Sequence, residues 1–110
     1  MAGAEGRAAE SPELRRLRRK IDAIDRRLVA LLNERAELAR QVGRAKSAFG
    51  RRAIRDLDRE REVLLRVAVT NTGPIPQADL LALYRRIFAA TRALEAADRR
   101  RPHGADHGDD

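Results

Sequence analysis

The stretch SPELRRLRRKIDAIDRRLVALLNERAELARQVGRAK, residues 11–46, decides the fold. Ser11, Pro12 and Glu13 read as an N-cap, a proline at the first helical position and an acid in the first turn. From there Leu14, Leu17, Ile21, Ile24, Leu28, Leu31, Leu38, Val42 and Ala45 recur at alternating steps of three and four, and Arg35 fills the one open slot. Nothing of helix-breaking character intervenes before Gly43. The spacing therefore predicts one helix over about 13–47, ~50 Å long at the usual rise. A compact chain of this length has a radius of gyration near ~13 Å, so such a helix projects beyond the globule and leaves its apolar seam wet. A second copy of the chain is the simplest cover, and a homo-oligomer is expected.

Outward from this helix, Ala48-Phe49-Gly50-Arg51-Arg52 breaks the pattern and reads as a loop. A second helix is expected over about 54–70, with Ile54, Leu57, Leu64, Leu65, Ala68 and Val69 on its apolar face. Asn71-Thr72-Gly73-Pro74-Ile75-Pro76 is a strong breaker. A third helix follows over about 77–99, with Leu80, Leu83, Tyr84, Ile87, Phe88, Thr91 and Leu94 on its stripe. No segment alternates with period two, so the class is all-α: one long helix, one short, one medium. Both ends, MAGAEGRAAE and RPHGADHGDD, are small, polar and without periodicity. One helical domain over 13–100 is expected, flanked by disordered tails at 1–12 and 101–110.

Composition narrows the chemistry. The 110 residues include no Cys, which excludes a disulfide framework, a thiolate zinc site and a cysteine nucleophile. The two histidines, His103 and His107, fall in the terminal tail, and no metal site is expected. No apolar run approaches the ~18 residues of a membrane span, so a cytoplasmic protein is expected. The net charge of +7 is uneven: residues 13–100 hold 22 basic and 12 acidic groups. That excess invites an anionic partner, whether nucleic acid, a membrane surface or a small polyanion.

Most arginines, including Arg15, Arg16, Arg19, Arg26, Arg27, Arg40, Arg44, Arg85 and Arg86, lie off the seams and read as a solvated face. Arg35 is different. It occupies a heptad slot where an apolar side chain belongs, so something anionic should meet it, either a salt-bridge partner or a ligand. Lys46 follows eleven residues later, a rotation of only about 20°, and so points to the same side ~16 Å along the axis. Arg18 lies roughly 100° round from Arg35 and serves a different surface. On the second helix Asp56, Arg59 and Glu60 share one polar face. On the third, Thr91 and Glu95 continue a core-facing line, where burial raises a carboxyl pKa and a threonine often bonds its own backbone. With no thiol, seam histidine, nucleophile elbow or glycine-rich phosphate loop, what remains is a cationic pocket holding one carboxyl and one hydroxyl group. Such a pocket suits a small dicarboxylate whose reaction needs grip and electrostatics.

These segments, LRRLRRKIDAIDRRLVALLNERAELARQVGRAK, RDLDRERE and TGPIPQADLLALYRRIFAATRALE, resemble the all-helical (type II) class of chorismate mutase over residues 13–97. The combination of Arg18, Glu34-Arg35, Gly43-x-x-Lys46 and Arg55-Asp56-x-x-Arg59-Glu60 carries the resemblance. It implies conversion of chorismate to prephenate, on the route to phenylalanine and tyrosine, by an intertwined six-helix homodimer. By position, Arg35 and Arg18 correspond to carboxylate clamps, with Arg18 reaching into the partner's site. Lys46 corresponds to the donor for a carboxylate and the ether oxygen. Asp56 and Glu60 match residues near the ring hydroxyl, and Arg59 a guanidinium supporting a carboxylate or the Glu60 side chain. Thr91 stands where many members have Ser, and Glu95 where members have Gln or Glu.

The implied reaction is an intramolecular Claisen rearrangement that needs no cofactor and no metal. Other readings stay open on the sequence alone: an isochorismate pyruvate-lyase or an aminodeoxychorismate mutase on the same fold, a regulatory module dependent on a partner enzyme of the pathway, or a basic helical nucleic-acid-binding protein.

Overall fold

The computed structural model describes residues 10–50 and 56–101. They form three α-helices, α1 (Pro12–Ala48), α2 (Leu57–Thr70) and α3 (Gln77–Arg100), with no strand among the described residues. The all-α reading holds. Arg51, Arg52, Ile54, both histidines and most of the two tails lie outside the described residues.

Local chemistry sets the helix ends. The Ser11 hydroxyl accepts the Leu14 amide at 3.1 Å, as an N-cap should. At the other end Phe49 N–H donates to Lys46 C=O at 3.1 Å and Gly50 N–H to Ser47 C=O at 2.9 Å. These tightened bonds close the last turn, and Gly50 takes φ 79°, a conformation that favours glycine. The second helix starts later than the expected residue 54. Asp56 is extended (φ −111°, ψ 91°) and its carboxylate accepts the Arg59 amide at 3.0 Å, so Asp56 is the cap and Leu57 the first helical residue. Between α2 and α3, Asn71 bonds both ways across the breaker: its side-chain amide donates to Ile75 C=O and its carbonyl accepts Gly73 N–H, each at 3.0 Å.

The chain divides into two compact units at residues 37 and 38. In the first, α1 presents its heptad seam to solvent: Leu17 is 42% exposed, Ile21 56%, Leu28 50% and Leu31 56%. In the second, which holds the end of α1 with α2 and α3, Phe88 is the buried hydrophobic residue among those described. Tyr84 packs edge-on against it, ring centroids 6.2 Å apart. The inward stripe of α2 is Val63, Leu64, Val67 and Ala68. Leu65 and Val69, expected on that stripe, are instead turned to solvent. The stripe is centred between Val63/Val67 and Leu64/Ala68, and at roughly 100° per residue positions 65 and 69 fall on the far side of the helix.

So small a core makes Phe88 heavily weighted. Phe88→Ala is expected to lower the unfolding free energy by about 3 kcal/mol, read from urea denaturation at fixed protein concentration.

Candidate active site

The second unit is stitched by ion pairs that run between helices. Arg40 of α1 grips Asp98 of α3 with both sides of its guanidinium, Nε to Oδ2 and Nη2 to Oδ1, each at 2.8 Å. This corrects the expectation that Arg40 belongs to a solvated face. A single-helix rotation argument cannot see an acid supplied by another helix. One turn further along α1, Gly43 leaves bare backbone, and the Glu95 carboxyl fills the space: a Cβ built there would lie 3.0 Å from Glu95 Oε2. One more turn on, Lys46 Nζ donates to Asp56 Oδ2 at 3.0 Å. Asp56 thus serves with both oxygens, one holding Lys46 and the other capping α2.

Glu60 projects from α2 toward α3 and accepts a 2.6 Å bond from Arg92. The pair is well shielded, with side chains 16% and 27% exposed. Arg59, expected near Glu60, pairs with Glu62 instead. Arg59 and Glu62 are three apart on the exposed side of α2, while Glu60 faces the neighbouring helix and takes its cation from there. The Thr91 hydroxyl donates to Ile87 C=O at 3.0 Å, the common habit of a helical threonine.

Electrostatics single out Glu95. Burial pushes its carboxyl above the ordinary carboxylate range, against the pull of Lys46 and Arg99 and with the help of Asp98. Asp98 behaves oppositely, held low chiefly by its bond from Arg40. Lys46, Asp56, Glu60, Thr91 and Glu95 are all half-buried in this second unit, whereas the Arg59 side chain is exposed. Arg18 and Arg35 belong to the first unit. Arg35 is half-buried, and Arg18 is largely exposed and forms an ion pair with Glu10. Among the described residues no group of three or more His, Asp or Glu could hold a metal ion.

Sequence reasoning missed Arg92, Asp98 and the function of Gly43 as a seat. Two signals were present. Asp98 is an acid in the last turn of a helix, where the dipole disfavours it, and Gly43 is a glycine in a helix interior.

The family model described as chorismate mutase type II matches residues 17–96. The bifunctional chorismate mutase/prephenate dehydratase of Aquifex aeolicus (strain VF5) is 40% identical over 87 residues, covering 76% of this chain and 24% of that protein. Its counterpart in Escherichia coli (strain K12) is 52% identical over 59 residues, covering 54% of this chain and 15% of that one. The chain spans a quarter or less of the length of these curated relatives. Among solved structures, form II of the chorismate mutase from Thermus thermophilus superposes with a TM-score of 0.72 at 32% identity, covering 76% of this chain and 94% of that one.

The raised Glu95 pKa has a sign that stability measurements can check. Its neutral form suits the folded state, so the stability it lends is full below its ordinary value of 4.5 and is lost as pH rises through the folded value. Glu95→Gln removes that ionisation. The melting temperature of Glu95→Gln relative to the parent should therefore climb as pH is raised from about 4 to about 8.

Proposed function

The chain belongs to the type II chorismate mutase family, and on that premise we propose that it converts chorismate to prephenate. The observation that carries the reading is the seating of the half-buried Glu95 carboxyl against Gly43, one turn before Lys46 on α1, with Oε2 3.0 Å from where a Cβ there would lie; burial raises the pKa of that carboxyl. An ammonium donates hydrogen bonds, and a carboxyl donates one when it holds its proton. In a Claisen rearrangement the C–O bond lengthens and negative charge gathers on the ether oxygen. Donors aimed at that oxygen stabilise the transition state more than the ground state, which is the source of rate.

Lys46 spends one of its three N–H donors on Asp56 and keeps two for the substrate. Arg35 and Arg18 clamp the two carboxylates so that the flexible enolpyruvyl arm lies folded over the ring before reaction. Asp56 and Glu60 stand near the ring hydroxyl and Thr91 supplies a further hydroxyl, while Arg59, paired with Glu62 on the exposed side of α2, is given no direct role. Bonds break and form within one molecule, so no cofactor enters the proposed reaction. The solvent-facing seam of α1, with Leu17, Ile21, Leu28 and Leu31 half in water, supports a homodimer in which Arg18 completes the partner's site. No described helix is long and apolar enough to cross a membrane. We place the reaction in the cytoplasm. An enzyme that consumes prephenate is the natural partner, as the names of the bifunctional relatives suggest.

The direct test follows loss of chorismate absorbance with purified protein and identifies the product by chromatography. Prephenate is expected; release of free pyruvate would assign the fold to the lyase reaction instead. Arg35→Ala should lower kcat/KM by more than about 10²-fold, the scale of a lost electrostatic donor. Rate should decline as pH rises through the Glu95 pKa, and Glu95→Gln should flatten that profile; a parent profile flat from about pH 5 to about pH 9 removes Glu95 from the role. For the shared site, inactive Arg18→Ala and inactive Arg35→Ala chains are unfolded together and refolded. Recovery of about a quarter of the parental rate is expected, because half the dimers are mixed and each rebuilds one intact site.

A further inference from the structure

We propose that Arg40, Asp98 and Gly43 form a positioning device for Glu95, the Arg40–Asp98 fork fixing α3 against α1 one turn away while the bare backbone at Gly43 receives the carboxyl group. The inference deepens the functional reading and rests on it, since it matters to catalysis only if Glu95 faces the reacting oxygen. Gly43 lies three positions after Arg40 on α1, and Asp98 three positions after Glu95 on α3. The two contacts are therefore successive rungs between the same pair of helices, 40 to 98 and 43 to 95. A planar guanidinium bound at both nitrogens fixes rotation as well as distance, which a lysine in its place would not do. The adjoining rung is then constrained to a narrow range of approach.

Gly43 accounts for the other half. A glycine inside a helix is less favourable than alanine by about 1 kcal/mol, so a helix built only for stability would carry alanine there. Alanine's methyl would stand 3.0 Å from Glu95 Oε2, closer than ordinary van der Waals contact, and the carboxyl would have to give way. Charges around Glu95 are mixed: Lys46 from α1 and Arg99 from its own helix favour ionisation, while Asp98 opposes it. Arg40 holds Asp98 ionised below its ordinary 3.8, so the fork is intact throughout the neutral range.

The test titrates the Glu95 carboxyl by carbon-13 NMR in the full chain, assigned by its absence in Glu95→Gln, alongside the pH dependence of kcat/KM for chorismate. Arg40→Gln leaves Asp98 unneutralised beside Glu95, and the titration midpoint should rise by about half a pH unit. Asp98→Asn removes the opposing charge, and the midpoint should fall by a similar amount. The alkaline limb of the rate profile should move with each, about threefold in rate above the midpoint. Gly43→Ala, which a helix accepts readily, should push the carboxyl toward water and lower the midpoint. Midpoints that stay at the parental value in both Arg40→Gln and Asp98→Asn overturn the proposal. So does an unmoved midpoint in Gly43→Ala with helix content unchanged by circular dichroism. A parent that titrates as expected but leaves chorismate untouched sinks the functional reading, while the midpoints still decide whether the device exists.

Discussion

The second unit is organised by a demand that each half-buried charge find its opposite on another helix. Its apolar core is thin, with Phe88 as the buried hydrophobic residue among those described. Helix placement therefore leans on Arg40–Asp98 between α1 and α3, Lys46–Asp56 between α1 and the start of α2, and Arg92–Glu60 between α3 and α2. Such pairs add little net stability over apolar contacts, but losing one member strands the other in a poorly solvated place. Their contribution is to geometry. Three helices are thereby joined pairwise by three charge contacts.

Within this frame Glu95 is the exception. The other interhelical carboxylates each accept a strong bond from a cation, whereas Glu95 is pressed against helix backbone at Gly43, with its nearest cations acting at a distance. Burial then outweighs attraction and favours the proton. A single fold thus shifts two acids in opposite senses. Asp98, gripped by a guanidinium, is held below the ordinary aspartate value; Glu95, one turn earlier on the same helix, is pushed above the ordinary glutamate value by burial.

The helices were legible because their signals are local. Ser11-Pro12-Glu13 announces a start, the three-and-four ladder from Leu14 to Ala45 sustains α1, and Asn71 through Pro76 ends α2. The start of α2 was misplaced because an aspartate in a first turn and an aspartate at a cap look alike in sequence; the φ and ψ of Asp56 separate them. Lys46 and Glu95 stood out as polar groups on core-facing lines. Arg40 and Arg92 did not, because their value comes from acids on other helices, and periodicity within one helix carries no information about that pairing. Glu62, the partner of Arg59, lies one turn away on the same helix, an i, i+3 pairing that the reading toward Glu60 passed over.

Asp56 offers a last lesson in economy. Its two oxygens are committed separately, one to the backbone at the head of α2 and one to the ammonium of Lys46. The head of α2 is therefore tied down by an oxygen that the ammonium does not use, and the ammonium's remaining donors can engage other groups without loosening the helix behind it. The carboxylate works like a mooring with two cleats, one line to the quay and one to the vessel.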